Sequence, residues 1–262
     1  MQRHIDERRY HVEILTPKQS SEKIEDDLEK FADKYNAAQA AGYCACITDN
    51  PMGMLSFKAT ECIDELGLPV SADGVLVHLN TFHTLPELTE ILTRYAEQGG
   101  RHLLVISGDG TERLHRLEPD EIGIDCETVT SVELMQYINR EYPGQFNLGV
   151  AFNPYEPQEH ELEKMQRKLD AGAEFIITQP VIGKDERLAA LDKFGLPVVI
   201  DAWMSKKLHL LSECVGYTIP EDTLYDPIQN LHELRRSYPH CGLYLALLGF
   251  KTQFPLLKDV WR

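Results

Sequence analysis

An acid in the middle of an apolar strand is the first feature of this 262-residue chain that asks for a chemical explanation. Glu13 stands within His11-Val12-Glu13-Ile14-Leu15, where strand alternation turns every second side chain to the same face. Facing inward, its carboxylate is desolvated, its pKa rises, and it becomes a usable general acid near neutral pH. Facing outward, it is an ordinary surface glutamate, and a one-residue slip of phase decides between the two.

Two further segments have polar groups at the end of a buried run. Ser107-Gly108-Asp109-Gly110-Thr111 follows a strand-like run, and its two glycines let backbone approach a ligand closely around an acid. Standing alone, it is also a plain strand-to-loop turn. In Asp170-Ala171-Gly172-Ala173-Glu174-Phe175-Ile176-Ile177-Thr178-Gln179-Pro180 a helix stops at a glycine, a short buried strand follows, and an amide comes at its C-terminal end. Gln179 both donates and accepts, which suits the edge of a pterin or flavin ring.

The elements that must position these groups alternate between strand and helix periods. Strands are expected over 10–15, 43–48, 74–79, 102–107, 146–152, 174–178, 198–201 and 243–248. Helices are expected near 21–35, 57–66, 85–98, 131–141, 157–171, 186–194 and 205–215, with an extra one over 227–236 and a closing one over 252–261. Most strand runs are continuously apolar, as parallel strands covered on both faces should be. An open doubly wound sheet fits that alternation too. Eight strands, with Thr48, His78, Asp109, Thr178, Gln179 and Asp201 at or just beyond their C-terminal ends, favour an α/β fold of the (β/α)8 TIM barrel type, whose active site is built on that rim. The length fits one barrel domain over 1–262, and no repeat or shift of composition divides it.

Composition narrows the function classes. The chain is 43% hydrophobic and 26% charged, which is ordinary for a globular protein, and its net charge of −16 disfavours a nucleic-acid partner. The polar opening Met1 to Arg9 and the short apolar run after it give no signal peptide or membrane span. Six scattered cysteines favour reduced thiols and a cytoplasmic setting. Cys44 and Cys46 share a strand face, but there is no CxxC pair and no HExxH among the ten histidines, so no metal site is expected. Phosphate loops of the GxGxxG or GxxxxGK[ST] kind are absent, as is a GxSxG elbow.

Taken in order, these segments resemble the methylenetetrahydrofolate reductases, flavin-dependent barrels that reduce 5,10-methylenetetrahydrofolate to 5-methyltetrahydrofolate. His11-Val12-Glu13-Ile14-Leu15-Thr16-Pro17-Lys18 is similar to the family's Phe-Glu-x-x-Pro-Pro-Lys, and the resemblance gives Glu13 the place of the catalytic acid. Thr48 matches a flavin-contacting threonine, and Val77-His78-Leu79 resembles the family's His-Leu-Thr, with Asn80 for the threonine. Ser107-Gly108-Asp109 stands where the family has Arg-Gly-Asp-Pro-Pro, so Asp109 takes the place of an acid near flavin and pterin while the arginine is replaced by Ser107. The longest match is Lys168-Leu169-Asp170-Ala171-Gly172-Ala173-Glu174-Phe175-Ile176-Ile177-Thr178-Gln179, close to Lys-x-Asp-Ala-Gly-Ala-x-x-x-Ile-Thr-Gln. There the resemblance makes Lys168 a contact on the phosphate side of the flavin and Gln179 the folate-binding amide.

The resemblance therefore implies an oxidoreductase on a tetrahydrofolate derivative, with FAD as cofactor and NADH, NADPH or another reduced carrier as electron donor. It implies that Glu13, Thr48, His78, Asp109 and Gln179 line one rim cavity, with Lys168 at the same end. The chain departs from the pattern at Ser107, at Gly110-Thr111 and at Pro180-Val181-Ile182, which leaves room for a flavin-independent folate reductase. A non-catalytic folate-binding subunit of a redox complex is the further alternative, and a homo-oligomer or a redox-partner subunit is the expected kind of association.

Overall fold

The computed structural model describes residues 10–111, 114–220 and 222–260; the polar opening before Tyr10, His4 within it, Trp261 and the Cys214 side chain lie outside the described residues. Its strands are β1 (Tyr10–Ile14), β2 (Cys44–Ile47), β3 (Val75–Leu79), β4 (His102–Val105), β5 (Asn147–Phe152), β6 (Phe175–Thr178), β7 (Val198–Trp203) and β8 (Gly242–Ala246). They form a closed barrel in sequence order, β1 to β8, with β8 pairing parallel to β1. The α-helices are α1 (Ile24–Ala40), α2 (Ala59–Glu65), α3 (Leu85–Glu97), α4 (Pro119–Ile122), α5 (Ser131–Glu141), α6 (Gln158–Asp170), α7 (Leu208–Val215), α8 (Pro227–Ser237), α9 (Phe250–Gln253) and α10 (Leu257–Val260). The (β/α)8 expectation holds. Among the described residues no helix is long and apolar enough to cross a membrane.

The differences from the sequence expectation have local causes. Helix α1 starts three residues late, because the Ser21 hydroxyl accepts from the Lys23 amide and donates to Asp27 in a turn of its own. It continues to Ala40 through the strong helix formers of Ala37-Ala38-Gln39-Ala40. Residues Glu186–Phe194 wind as a 3₁₀-helix, not an α-helix; the Asp185 carboxylate caps the Arg187 amide and grips its guanidinium, and the Leu188 amide closes back on the Asp185 carbonyl. The closing helix is split at Pro255, which supplies no amide to an α-helical ladder. The one-turn helix α4 has too few residues to leave a periodic signal.

Contacts within the chain divide it into two compact units, 10–13 with Ala151–Gln166 and 175–260, and Ile14–Val150 with Arg167–Glu174. In the first, β6, β7 and β8 pair side by side, and α7 packs Leu208, Leu211 and Val215 against Trp203. In the second, β2 to β5 pair in register, and reciprocal caps between Thr84 and Glu87 and between Thr130 and Glu133 fix the starts of α3 and α5.

Candidate active site

Strand alternation settles the phase of Glu13. Tyr10, Val12 and Ile14 share one face of β1, and the Arg235 guanidinium of α8 stacks over the Tyr10 ring at 4.8 Å. Glu13 therefore belongs to the opposite face. There its Oε2 accepts a hydrogen bond from the Tyr244 hydroxyl of β8 at 2.8 Å. Burial pushes the Glu13 carboxyl above the usual glutamate range, and the Tyr244 bond only partly opposes that shift.

A second buried acid lies beside it. Asp201 on β7 is in register with Tyr244, and its amide donates to the Thr178 hydroxyl at 3.0 Å. Its carboxyl Oδ1 is buried without a hydrogen-bond partner. Burial, and then the charge of Glu13, push Asp201 well above the usual aspartate range. Two residues on, and so on the same face of β7, the buried indole N–H of Trp203 also lacks an acceptor. A buried donor and a buried acceptor left unmatched by protein are free for a ligand edge carrying both.

Tyrosines complete the polar surroundings in this unit. Tyr155 donates to the Pro180 carbonyl at 2.9 Å beneath the Arg187 guanidinium, and its hydroxyl is pushed up to about 12, chiefly by burial. Tyr225 donates to the Trp203 carbonyl and accepts from Asn230. Gln179 is half-buried directly after β6, its backbone N–H donating to the Phe152 carbonyl at 2.8 Å.

The other unit gathers a different cluster at the ends of β2 and β3. Asp49 accepts from the Asn80 amide at 2.8 Å and meets His83 Nε2 at 2.7 Å, and Asn80 Nδ2 donates to the Asp49 carbonyl. Burial works to discharge His83, but the charge and hydrogen bond of Asp49 more than reverse this, so its pKa is raised. At His78 the balance tips the other way: burial drives it down to about 4 against the weaker pull of Asp49. Thr48 is buried with its hydroxyl unpartnered. Sequence reasoning singles out Thr48 and His78 but misses the Asp49–His83 pair, whose members are 34 positions apart and in no common motif.

Asp109 is exposed in its loop. That loop folds back on its own unit: a Cβ at Gly108 would meet Asn80 Cβ at 2.7 Å, and one at Gly110 would meet the Phe82 ring at 2.5 Å. Lys168 is in the last turn of α6, where its carbonyl accepts from the Ala173 amide at 3.0 Å just before β6 begins. Its backbone is thus at the entry to β6, whereas Gln179 follows the strand's exit. Among the described residues no group of three His, Cys, Asp or Glu side chains could hold a metal ion.

The flavin can be tested against this geometry. The unpartnered Thr48 hydroxyl and the neutral His78 imidazole suit the polar edge of an isoalloxazine ring. Among the described residues this loop offers no cation to the phosphate side: Ser107 has no charge, Gly108 and Gly110 are packed against Asn80 and Phe82, and Arg116 stands over Phe82 and donates to the Val129 carbonyl. The described residues of this loop do not fit the phosphates of a flavin dinucleotide.

Comparison with known proteins agrees with the fold and the motifs. The family model for methylenetetrahydrofolate reductase matches residues 1–195, and the chain belongs to that family. Methylenetetrahydrofolate reductase 1 of Schizosaccharomyces pombe is 28% identical over 123 residues, which are 45% of this chain and 20% of that protein. The chain thus matches about a fifth of the length of this curated relative. Among solved structures, an uncharacterized Clostridium thermocellum protein that binds two copies of 5-methyl-5,6,7,8-tetrahydrofolic acid superposes with a TM-score of 0.64 at 12% identity, over 97% of this chain and 96% of its own. Xanthomonas albilineans dihydropteroate synthase follows at 0.51 and 14%, over 98% and 92%.

Proposed function

We propose that this barrel binds a reduced folate and interconverts its 5,10-methylene and 5-methyl forms by hydride transfer, with Glu13 as the proton donor. The observation that carries the reading is the Glu13 carboxyl, half-buried on the strand face opposite Tyr10, shifted toward its protonated form and oriented by Tyr244. Opening the five-membered ring of the methylene form requires a proton on the departing nitrogen, and the iminium carbon left behind accepts the hydride. A carboxyl whose pKa burial has raised is suited to supply that proton. Asp201 Oδ1 and the Trp203 N–H offer an acceptor and a donor to the pterin edge, and Gln179 offers both. The methyltetrahydrofolate carried by the Clostridium thermocellum neighbour supports the choice of ligand.

The hydride donor in this reading is a reduced carrier, a flavin or a nicotinamide; Thr48 and His78 are assigned to its ring and Asp109 to its polar rim. Lys168 is assigned to the carrier's phosphate side. Ser107 and the packed loop after it favour a second version, reduction by a nicotinamide without flavin. Purified protein then lacks a flavin absorption spectrum and oxidises NADH or NADPH only when methylenetetrahydrofolate is present, whereas a yellow preparation reduced by nicotinamide alone rules that version out.

Glu13→Gln keeps the shape and the acceptor for Tyr244 but has no proton to give. Folate turnover should fall on the order of 100-fold to 10,000-fold, while folate affinity, measured by calorimetry, changes little. Near-normal turnover in the variant would remove Glu13 from the mechanism.

A further inference from the structure

Past the end of β1 lies a pocket of about 290 Å³, with Thr16, Lys18 and Ser21 on one side and Asp27, Lys30 and Lys34 of α1 on the other. All of it belongs to the Ile14–Val150 part of the second unit, and none of its side chains is used by the folate reading above. The Thr16 side is pinned from behind: the Phe57 amide donates to the Pro17 carbonyl at 2.9 Å and the Gln19 amide to the Leu55 carbonyl at 3.2 Å.

Hydrogen bonding and charge each point to an anion. Thr16, 4% exposed and part of the lining, has its hydroxyl buried without a hydrogen-bond partner. Buried hydroxyls are normally partnered, and an oxyanion supplies the acceptor that this one lacks. Three ammonium groups in the lining face one carboxylate, a surplus of two positive charges on a protein of net charge −16. That carboxylate, Asp27, is already engaged: one oxygen accepts from Lys30 Nζ at 2.8 Å and the other from the Ser21 hydroxyl at 2.7 Å. Lys30 and Lys34 are four residues apart on one face of α1, and Lys34 is pulled below the usual lysine range by burial and then by the charge of Lys30. An anion between them relieves both causes.

Charge and size narrow the kind of anion. A surplus of two matches a phosphate dianion, the main form of a phosphate ester at neutral pH, whereas one carboxylate leaves a cation uncompensated. The pocket lining contains no arginine, whose planar fork suits a carboxylate; lysines bind phosphate as point charges, from any direction. The volume is at the lower edge of pockets that enclose a whole drug-sized ligand, so the occupant is a phosphate with few atoms attached.

We propose that this pocket binds a phosphate dianion, free or carried on a small organic molecule, with Lys18, Lys30 and Lys34 as counter-charges and Thr16 as hydrogen-bond donor. Binding weakens as salt is added, because the lysines are partly open to solvent.

The test is titration calorimetry of the full chain with inorganic phosphate and with glycerol 3-phosphate, and with tricarballylate as a carboxylate of comparable size and charge. The combined variant Lys18→Gln, Lys30→Gln, Lys34→Gln should bind phosphate about tenfold more weakly than wild type, the size expected of three partly exposed ion pairs. Thr16→Val should weaken it about fivefold through one lost hydrogen bond to a charged acceptor. Thr16→Ser, which keeps the hydroxyl, should bind as wild type does, and this separates a bonding role from a packing one. Tighter binding of glycerol 3-phosphate than of inorganic phosphate assigns the pocket to a phosphate ester, and the reverse to free phosphate. No binding of either up to about 10 mM, binding that the triple variant retains, or tricarballylate bound as tightly as the phosphates overturns the proposal.

Discussion

Each unit of the barrel half-buries an acid toward the ends of its strands, and the two acids meet opposite company. Asp49 faces an imidazole at 2.7 Å and two donor groups of Asn80. Glu13 faces a tyrosine hydroxyl and a second acid, Asp201, and burial dominates both of their shifts. A carboxylate given an imidazole and a backbone amide donor is a clamp between β2 and the loop after β3. A carboxyl whose desolvation outweighs its one hydrogen bond is shifted toward the protonated form, from which a proton can pass to a substrate. Burial is common to the two; the partner decides the chemistry.

The sharpest way to break this contrast is to neutralise each acid in turn. Asp49→Asn leaves His83 buried without its counter-charge and should cost about 3 to 5 kcal/mol, as measured by urea unfolding. Asp201→Asn should do the reverse as pH rises: the wild-type carboxyl, raised in the folded state, opposes folding once it must ionise, and the amide never does. Equal losses in the two variants would erase the distinction.

A smaller effect separates the two histidines of the Asp49 cluster. His78 titrates at about 4 in the folded protein against an ordinary 6.5, so between those values the unfolded chain binds more protons. Stability is therefore complete above about pH 6.5 and is lost as pH falls toward 4, by at most about 3 kcal/mol. His78→Gln should remove that part of the acid-side loss. His83, raised by Asp49, has the opposite sign: its contribution is present at low pH and fades as pH rises through its folded-state value.

The smallest effect is the most specific to catalysis. Tyr244→Phe removes one hydrogen bond, worth about 1 kcal/mol of stability. Because that bond favours the charged form of Glu13, its loss should move the alkaline limb of the pH–rate profile to higher pH. A merely structural tyrosine would lower the rate and leave the limb in place.

Much of this architecture is legible in the amino-acid sequence. Continuous runs such as Leu103-Leu104-Val105 and Phe175-Ile176-Ile177 mark parallel strands, because strands covered on both faces have no polar side to show. Glu13 is legible as a candidate but not in its phase, which needs Tyr10 beneath Arg235 to fix it. What no periodicity reveals is pairing between distant segments: Tyr244 is 231 positions from Glu13, and Asp49 meets His83 only once β2 and β3 lie side by side.

The proposed chemistry stands or falls on the protonation of Glu13, and infrared spectroscopy observes it directly. In the difference spectrum between wild type and Glu13→Gln at neutral pH, a protonated acid predicts loss of a protonated-carboxyl C=O band that shifts in D2O and disappears from the wild type as pH is raised. Loss of a carboxylate band instead, with no protonated-carboxyl signal at neutral pH, would show that Glu13 is already ionised and would contradict its role as the acid.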